Sequence, residues 1–227
     1  GRWVLGGGGG AGGAARPPPP PPPPPGPPPP PPTTAPSRPA NEVRIIGGQW
    51  KRTKLQVADK PGLRPTPDRV RETLFNWLGQ DLGGWRCVDA FAGTGALGFE
   101  AASRGAAQVL LVEQDPQLVA QLRAVQQKLQ ATAVHVERGN GLTALQRLTP
   151  GATDLVFLDP PFDAGLYDKA LAAALPALAA DGLVYLEAST AWSDEALAPL
   201  GLALQRHLKA GAVHAHLLRR ADAAQRS

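Results

Sequence analysis

A chain of 227 residues leaves room for one globular domain with a small appendage, and 26 prolines gathered largely at one end exclude that end from any packed core. Its formal charge of +4 hides an asymmetry: residues 44–86 hold nine Lys/Arg and four acids, whereas residues 87–227 hold eleven and fourteen. A single cysteine, Cys87, rules out an internal disulfide, no apolar run is long enough to span a bilayer, and the four histidines show no metal-ligand spacing, so the chain reads as a cytoplasmic protein of a reducing compartment, without membrane or metal partners.

Fifteen prolines fall within residues 17–32, interrupted only by Gly26, after a stretch made mostly of Gly and Ala. Residues 1–42 are therefore expected to form a disordered or polyproline-II tail. The tail lacks the compact apolar segment of a secretory signal. A transit peptide and a docking tail for proline-reading domains both remain open. An accidental or mis-started extension is preferred over either, since the chain has no Met even at position 1.

Residues 43–85 read as a basic extension. Val43–Ile46 is a short strand, Gly47-Gly48 a turn, and the alternation over Lys51–Val57 gives the second strand of a hairpin. Trp50 at the turn serves either to stack on a base or to cover the hairpin. Gly62–Pro67 is a loop, after which Thr66 or Asp68 caps a helix to about Gly79, with Pro67 in its first turn and an apolar face of Val70, Leu74, Phe75, Trp77 and Leu78. Arg44, Lys51, Arg52, Lys54, Arg64, Thr66, Arg69 and Arg71 would then face a polyanion. An ordinary solvated surface is the alternative, and Thr66, Arg69 and Asn76 have a second possible use in closing over a cofactor.

From Arg86 the pattern alternates. Strands are expected at Cys87–Phe91, Val109–Glu113, Val134–Val136, Leu155–Leu158 and Leu183–Glu187, with helices opening at Ala92–Gly98 and spanning Pro116–Leu129, Leu142–Leu148 and Leu166–Leu178. Leu202–Leu208 and Val213–Leu218 close the chain as an antiparallel pair. The predicted fold is α/β: a doubly wound, mostly parallel sheet, residues 86–227, preceded by the basic hairpin and helix.

Two strand ends carry the chemistry. Asp89-Ala90-Phe91-Ala92-Gly93-Thr94-Gly95 places a carboxylate and two glycines at a strand-to-helix turn, where the glycines let a ligand approach the backbone. A pyrophosphate would be repelled by Asp89; a cationic amino-acid ligand would not. Glu113 ends the next strand and is placed to accept ribose hydroxyls, a geometry common to nucleotide folds. Further along, Leu155-Val156-Phe157-Leu158-Asp159-Pro160-Pro161-Phe162 is a buried strand stopped by two prolines. By itself that turn is either a strand stop with a core Phe or a rim offering one carboxylate, proline carbonyls and a ring to a flat, amino-bearing molecule.

The D-x-F-x-G-x-G loop followed by Glu113 resembles the S-adenosylmethionine site of class I methyltransferases. In that resemblance Asp89, Phe91, Gly93, Gly95, Glu113, Asn140, Gly141 and Leu142 hold the cofactor, with Asn140 contacting the adenine amino group. Adding D-P-P-F, together with Arg44-Ile45-Ile46-Gly47-Gly48, Gly62-Leu63-Arg64-Pro65-Thr66 and Asp68-Arg69-Val70-Arg71-Glu72-Thr73-Leu74-Phe75-Asn76-Trp77-Leu78, the chain is similar to the bacterial 16S ribosomal RNA guanine-N2 methyltransferase family, from Val43 to the last strand pair. The resemblance implies a seven-stranded sheet and methyl transfer to N2 of a guanine in the small ribosomal subunit or its assembly intermediate, by a monomer. It implies catalytic roles for Asp159, Pro160, Pro161 and Phe162: Asp159 and the Pro160 carbonyl accept hydrogen bonds from the amino group, and Phe162 stacks on a base turned out of the RNA. Cys87 is assigned to the core, and His214 and His216 to one exposed face. An adenine-N6 methyltransferase, a protein-glutamine methyltransferase and a non-catalytic assembly factor are the rivals.

Overall fold

Apolar stretches of strand length alternate with amphipathic ones from Arg86 onward, and this alternation becomes a single wound sheet in the computed structural model, which describes residues 42–161 and 164–222. The expected tail lies outside the described residues. The described residues begin with β1 (Glu42–Arg44) and β2 (Lys54–Gln56), an antiparallel hairpin, followed by α1 (Asp68–Leu78). Then come β3 (Arg86–Asp89), α2 (Ala96–Ser103), β4 (Gln108–Glu113), α3 (Pro116–Leu129), β5 (Val134–Arg138), α4 (Gly141–Gln146) and β6 (Thr153–Leu158). The remaining elements are α5 (Ala164–Ala174), β7 (Leu178–Ala188), α6 (Asp194–Leu197), β8 (Leu202–Ala210) and β9 (Val213–Arg220).

The sheet has the order β5-β4-β3-β6-β7-β9-β8, parallel through β7 and antiparallel beyond it. It is the seven-stranded, doubly wound architecture expected from the sequence. Strand order reverses between β3 and β6, and ligands in such sheets bind beyond the carboxyl ends of the strands at that reversal. β6 explains itself: Leu155, Val156, Phe157 and Leu158 are all fully buried, because helices cover both faces of a parallel strand. Leu155 and Phe157 join a core built with α1, α2 and α3, while Val156 and Leu158 join one built with α5. Cys87 is buried in the first core, and burial pushes its thiol up to about 12.

Contacts of two kinds dock the N-terminal hairpin and α1 on the sheet. Val43, Ile45, Leu55, Val57, Val70, Leu74 and Phe75 are buried in the same core as Phe157 and Tyr185; each such side chain contributes roughly 1.5–3 kcal/mol by leaving water. Polar clamps fix the approach. The Glu100 carboxylate of α2 accepts from the Ile46 N–H at 2.9 Å and 3.1 Å. Ser103 accepts from the Trp50 N–H at 2.9 Å and donates to the Gly47 carbonyl at 2.6 Å.

Three expectations are corrected. Arg71, read as facing a polyanion, is 0% exposed: its guanidinium donates to the carbonyls of Arg44 (2.8 Å) and Thr66 (3.2 Å) and to Asp68. Helical spacing put it on the polar side of α1, but the returning β1 strand covers that side. His216 is also fully buried, unlike the exposed face assigned to it. Strand alternation from His214 misleads here, because the segment after β7 folds over the β9 end and gives His216 a partner, the Trp192 N–H, at 2.9 Å. Finally, β7 starts at Leu178 rather than Leu183, a bulge opposite Thr153–Leu155 absorbing the Ala-Asp-Gly stretch.

His216 uses both ring nitrogens: Nε2 accepts from Trp192, and Nδ1 lies 3.1 Å from the Leu186 carbonyl, to which the Nδ1-protonated tautomer donates. Burial lowers its pKa from 6.5 to about 4, helped by neighbouring His207 and His214. A depressed histidine stabilises the fold fully above 6.5 and loses that contribution as pH falls towards 4. The stability advantage of the wild type over His216→Gln, measured by urea unfolding, should therefore shrink between pH 6.5 and 4. A constant advantage across that window would contradict the assignment.

Candidate active site

Parallel strands β4, β3, β6 and β7 are neighbours, and each meets an acid at its carboxyl end: Glu113, Asp89, Asp159 and Glu187. These four residues line one cavity of about 600 Å³. Its walls also include Phe91, Gly93, Thr94 and Leu97 after β3, Asn140, Gly141 and Leu142 after β5, and Pro160 and Pro161 after β6. The Lys60–Pro67 loop, leading from the hairpin into α1, supplies the remaining side.

Each acid has a different environment. Asp89 is 1% exposed, and its Oδ1 is buried with no hydrogen-bond partner. Desolvation raises its pKa from 3.8 to about 7, the Phe91 N–H opposing this and Glu113 adding to it. An orphaned carboxylate oxygen in a cavity wall is a fitting receptor for an ammonium group, which would supply the missing donor and countercharge. Glu113 is held by main-chain donors: Oε2 accepts from the Gly93 N–H at 2.9 Å, and Oε1 from the Gln114 and Asp115 N–H groups, both at 3.1 Å. That fixes a carboxylate with lone pairs to spare at the cavity wall, as vicinal hydroxyls require.

Asp159 is half-buried, its pKa raised well above 3.8 first by desolvation and then by the charges of Glu187 and Asp89. Such a group is a stronger hydrogen-bond acceptor and base than a surface aspartate. Two prolines after it hold the chain in a stiff turn, and both line the cavity. Phe162, expected to stack on a base, lies outside the described residues.

The four glycine and loop positions divide. Gly93 has φ +55° and a wall position, as a close ligand approach needs. Gly95, expected beside it, is not part of the cavity wall; with φ +80°, an added Cβ would fall 2.7 Å from Phe99 and Leu122, so this glycine serves the packing of α2. Asn140 caps α4, accepting from the Thr143 N–H at 3.1 Å, and remains exposed in the wall. Gly141 is enclosed where an added Cβ would lie 2.1 Å from the Ala90 carbonyl, which is how the loop after β5 presses against the β3 turn.

Two features escaped sequence reasoning. Glu187 accepts hydrogen bonds from Thr66 (2.7 Å) and Tyr185 (3.0 Å), so Thr66, 3% exposed, ties the α1 loop to the sheet end. The available signal was an acid at the end of the strand beside Asp159. The second is Lys60, which bridges to Asp115 at 2.6 Å across the cavity rim and holds the Asp115 carboxyl below its ordinary value. Arg64 is exposed on the loop that walls the cavity, and outside the cavity Arg44, Lys51, Arg52, Lys54 and Arg69 are exposed, with Lys54 3.4 Å from Glu42. No helix among the described residues is long and apolar enough to cross a membrane, and no group of three or more His, Cys, Asp or Glu among them has the arrangement to hold a metal ion.

Comparison with known proteins gives a consistent picture. A family model described as Conserved hypothetical protein 95 matches residues 43–219. Ribosomal RNA small subunit methyltransferase D of Escherichia coli (strain K12) is 42% identical over 184 residues, 80% of this chain and 91% of its own length. The protein of the same name from Haemophilus influenzae is 46% identical over 133 residues, 57% of this chain and 69% of its own. The solved structure of Escherichia coli yhhF matches with a TM-score of 0.69 at 42% identity, covering 79% of this chain and 98% of that one.

The fit of Gly141 against Ala90 generates a prediction. Gly141→Ala forces the two turns apart and should cost about 1–3 kcal/mol of stability, read as a lower midpoint in chemical unfolding. An unchanged midpoint would show that the contact is not tight.

Proposed function

The chain belongs to the family of the ribosomal RNA small subunit methyltransferase D proteins, and on that premise we propose that it transfers a methyl group from S-adenosylmethionine to the exocyclic N2 of a guanine in 16S ribosomal RNA, within the small subunit or its assembly intermediate. The observation that carries this reading is the pairing, in one cavity, of an orphaned Asp89 oxygen with the Asp159-Pro160-Pro161 turn. One suits a cationic amino-acid ligand and the other an amino group.

When bound, S-adenosylmethionine supplies a methyl group on a sulfonium, an electrophile whose leaving group is neutral. Asp89 would hold the ammonium of its amino-acid part, Glu113 the ribose hydroxyls, and Asn140 with Gly141 and Leu142 the adenine. Asp159 and the Pro160 carbonyl would accept the two N–H groups of guanine N2. Fixing both hydrogens turns the nitrogen lone pair towards the methyl group, and orientation matters because that lone pair is otherwise delocalised into the ring. The raised pKa of Asp159 suits it to take the proton that the amino group gives up on methylation. Phe162 keeps its proposed stacking role.

The exposed cations Arg44, Lys51, Arg52, Lys54, Arg64 and Arg69 form the proposed phosphate grip, which steers RNA electrostatically without reading sequence. Thr66 and Arg71 drop out of that grip, since both are buried and engaged with protein partners. They hold the loop that carries Arg64.

Supplying the protein with radiolabelled S-adenosylmethionine and small-subunit particles, then digesting the RNA to nucleosides, tests the reading. Label is expected in N2-methylguanosine, with Asp159→Ala losing at least about 100-fold in rate while still binding cofactor. Label confined to adenosine or to protein would contradict the proposal, as would full activity of the variant.

A further inference from the structure

Glu187 stands beside Asp159. β6 and β7 are parallel and in register, Phe157 opposite Tyr185 and Leu158 opposite Leu186, so the next positions on the two strands are Asp159 and Glu187. Neighbouring strands run about 4.8 Å apart, and paired residues point to the same face. Both carboxylates line the cavity. Glu187 is fixed from behind: the Thr66 hydroxyl at 2.7 Å and the Tyr185 hydroxyl at 3.0 Å both donate to Oε2. Among the described hydrogen bonds none falls on Oε1. The result is two carboxylates side by side, Glu187 held by two hydroxyls, at the place where the amino-bearing base must enter.

The bases of RNA differ at this edge. Adenine and cytosine each set their amino group next to a ring nitrogen that is an acceptor. Guanine alone sets its amino group next to a ring N–H, so it presents two adjacent donors. We propose that Glu187 is a specificity-determining residue that accepts the N1–H of the target guanine through Oε1 while Asp159 accepts from its N2 amino group. This deepens the proposed function and rests on it. An adenine or cytosine turned into the same cavity would set a lone pair against the Glu187 carboxylate, a repulsive contact that rejects the wrong base as well as failing to reward it. The two hydroxyls favour the charged, accepting form of Glu187 against the desolvation that raises its pKa, so the Thr66 contact has a chemical purpose beyond anchoring the loop.

The discriminating substrate is 2-aminopurine, which keeps the 2-amino group of guanine but has a bare acceptor at N1. Small-subunit particles would be reconstituted with guanine or 2-aminopurine at the methylated position, once that position has been mapped with the wild type. Loss of a hydrogen bond to a charged partner predicts that the wild type methylates the guanine particle roughly 10- to 100-fold faster. Glu187→Gln, which offers an amide donor to the bare nitrogen, should bring the two rates to within about threefold. Cofactor binding by calorimetry reports whether the variant is folded. A purely structural Glu187 would slow both substrates equally and leave their ratio unchanged, which would overturn the inference while leaving guanine-N2 methylation standing. Equal wild-type rates on the two particles would overturn it without recourse to any variant. A wild type that methylates no guanine would remove the reading on which it rests.

Discussion

Four adjacent strands deliver carboxylates to one cavity, and this concentration of buried negative charge is the constraint around which the site is arranged. Burying an ionised carboxylate costs several kcal/mol unless donors or countercharges compensate it. The compensation differs at each position. Glu113 takes three main-chain N–H groups, Glu187 takes two hydroxyls, and Asp115 at the rim takes Lys60. Asp89 is left with an unpartnered oxygen and Asp159 with neighbouring like charges. The uncompensated pair flanks the sheet's strand-order reversal, where the doubly wound fold places its ligands.

Seen from this edge, the N-terminal hairpin and α1 have two duties. Their apolar residues complete the core over Phe157 and Tyr185, and their loop supplies a wall of the cavity together with the Thr66 hydroxyl that Glu187 accepts. Buried Arg71 connects these duties by binding the β1 end and the Thr66 carbonyl at once. The cations that remain exposed are thereby carried on a segment packed against the site itself. A polyanion gripped by them would be presented to the cavity rather than held at a distance from it.

Much of this was legible in the sequence because it rests on local rules. The run Leu155–Leu158 is apolar on both faces, as a doubly covered parallel strand must be, and Pro160-Pro161 ends it. Asp89 and Gly93 stand where a strand feeds a helix, and Glu113 and Asp159 each stand at the end of an apolar strand. What the sequence hid depends on contacts between distant segments. Arg71 looks like a surface cation until β1 folds back over it, His216 looks exposed until the segment after β7 crosses it, and the close fit of Gly95 against Phe99 and Leu122 leaves no mark in the motif. Thr66 and Glu187 are 121 residues apart, and nothing local announces their bond.

The central claim is that Asp89 is held buried with one oxygen unpartnered so that a cationic ligand completes it. With its pKa raised to about 7, Asp89 binds a proton more tightly in the folded protein than its ordinary value of 3.8 allows, so the ligand-free fold loses stability as pH rises through that interval and the ligand must displace the proton at low pH. The most direct measurement is calorimetric titration with S-adenosylmethionine from pH 8 to pH 5 for the wild type and Asp89→Asn. The wild type should lose affinity below pH 7, approaching tenfold per unit, with close to one proton released on binding, and the variant should bind weakly with no such dependence. Affinity independent of pH in the wild type, or retained in full by Asp89→Asn, would contradict the account.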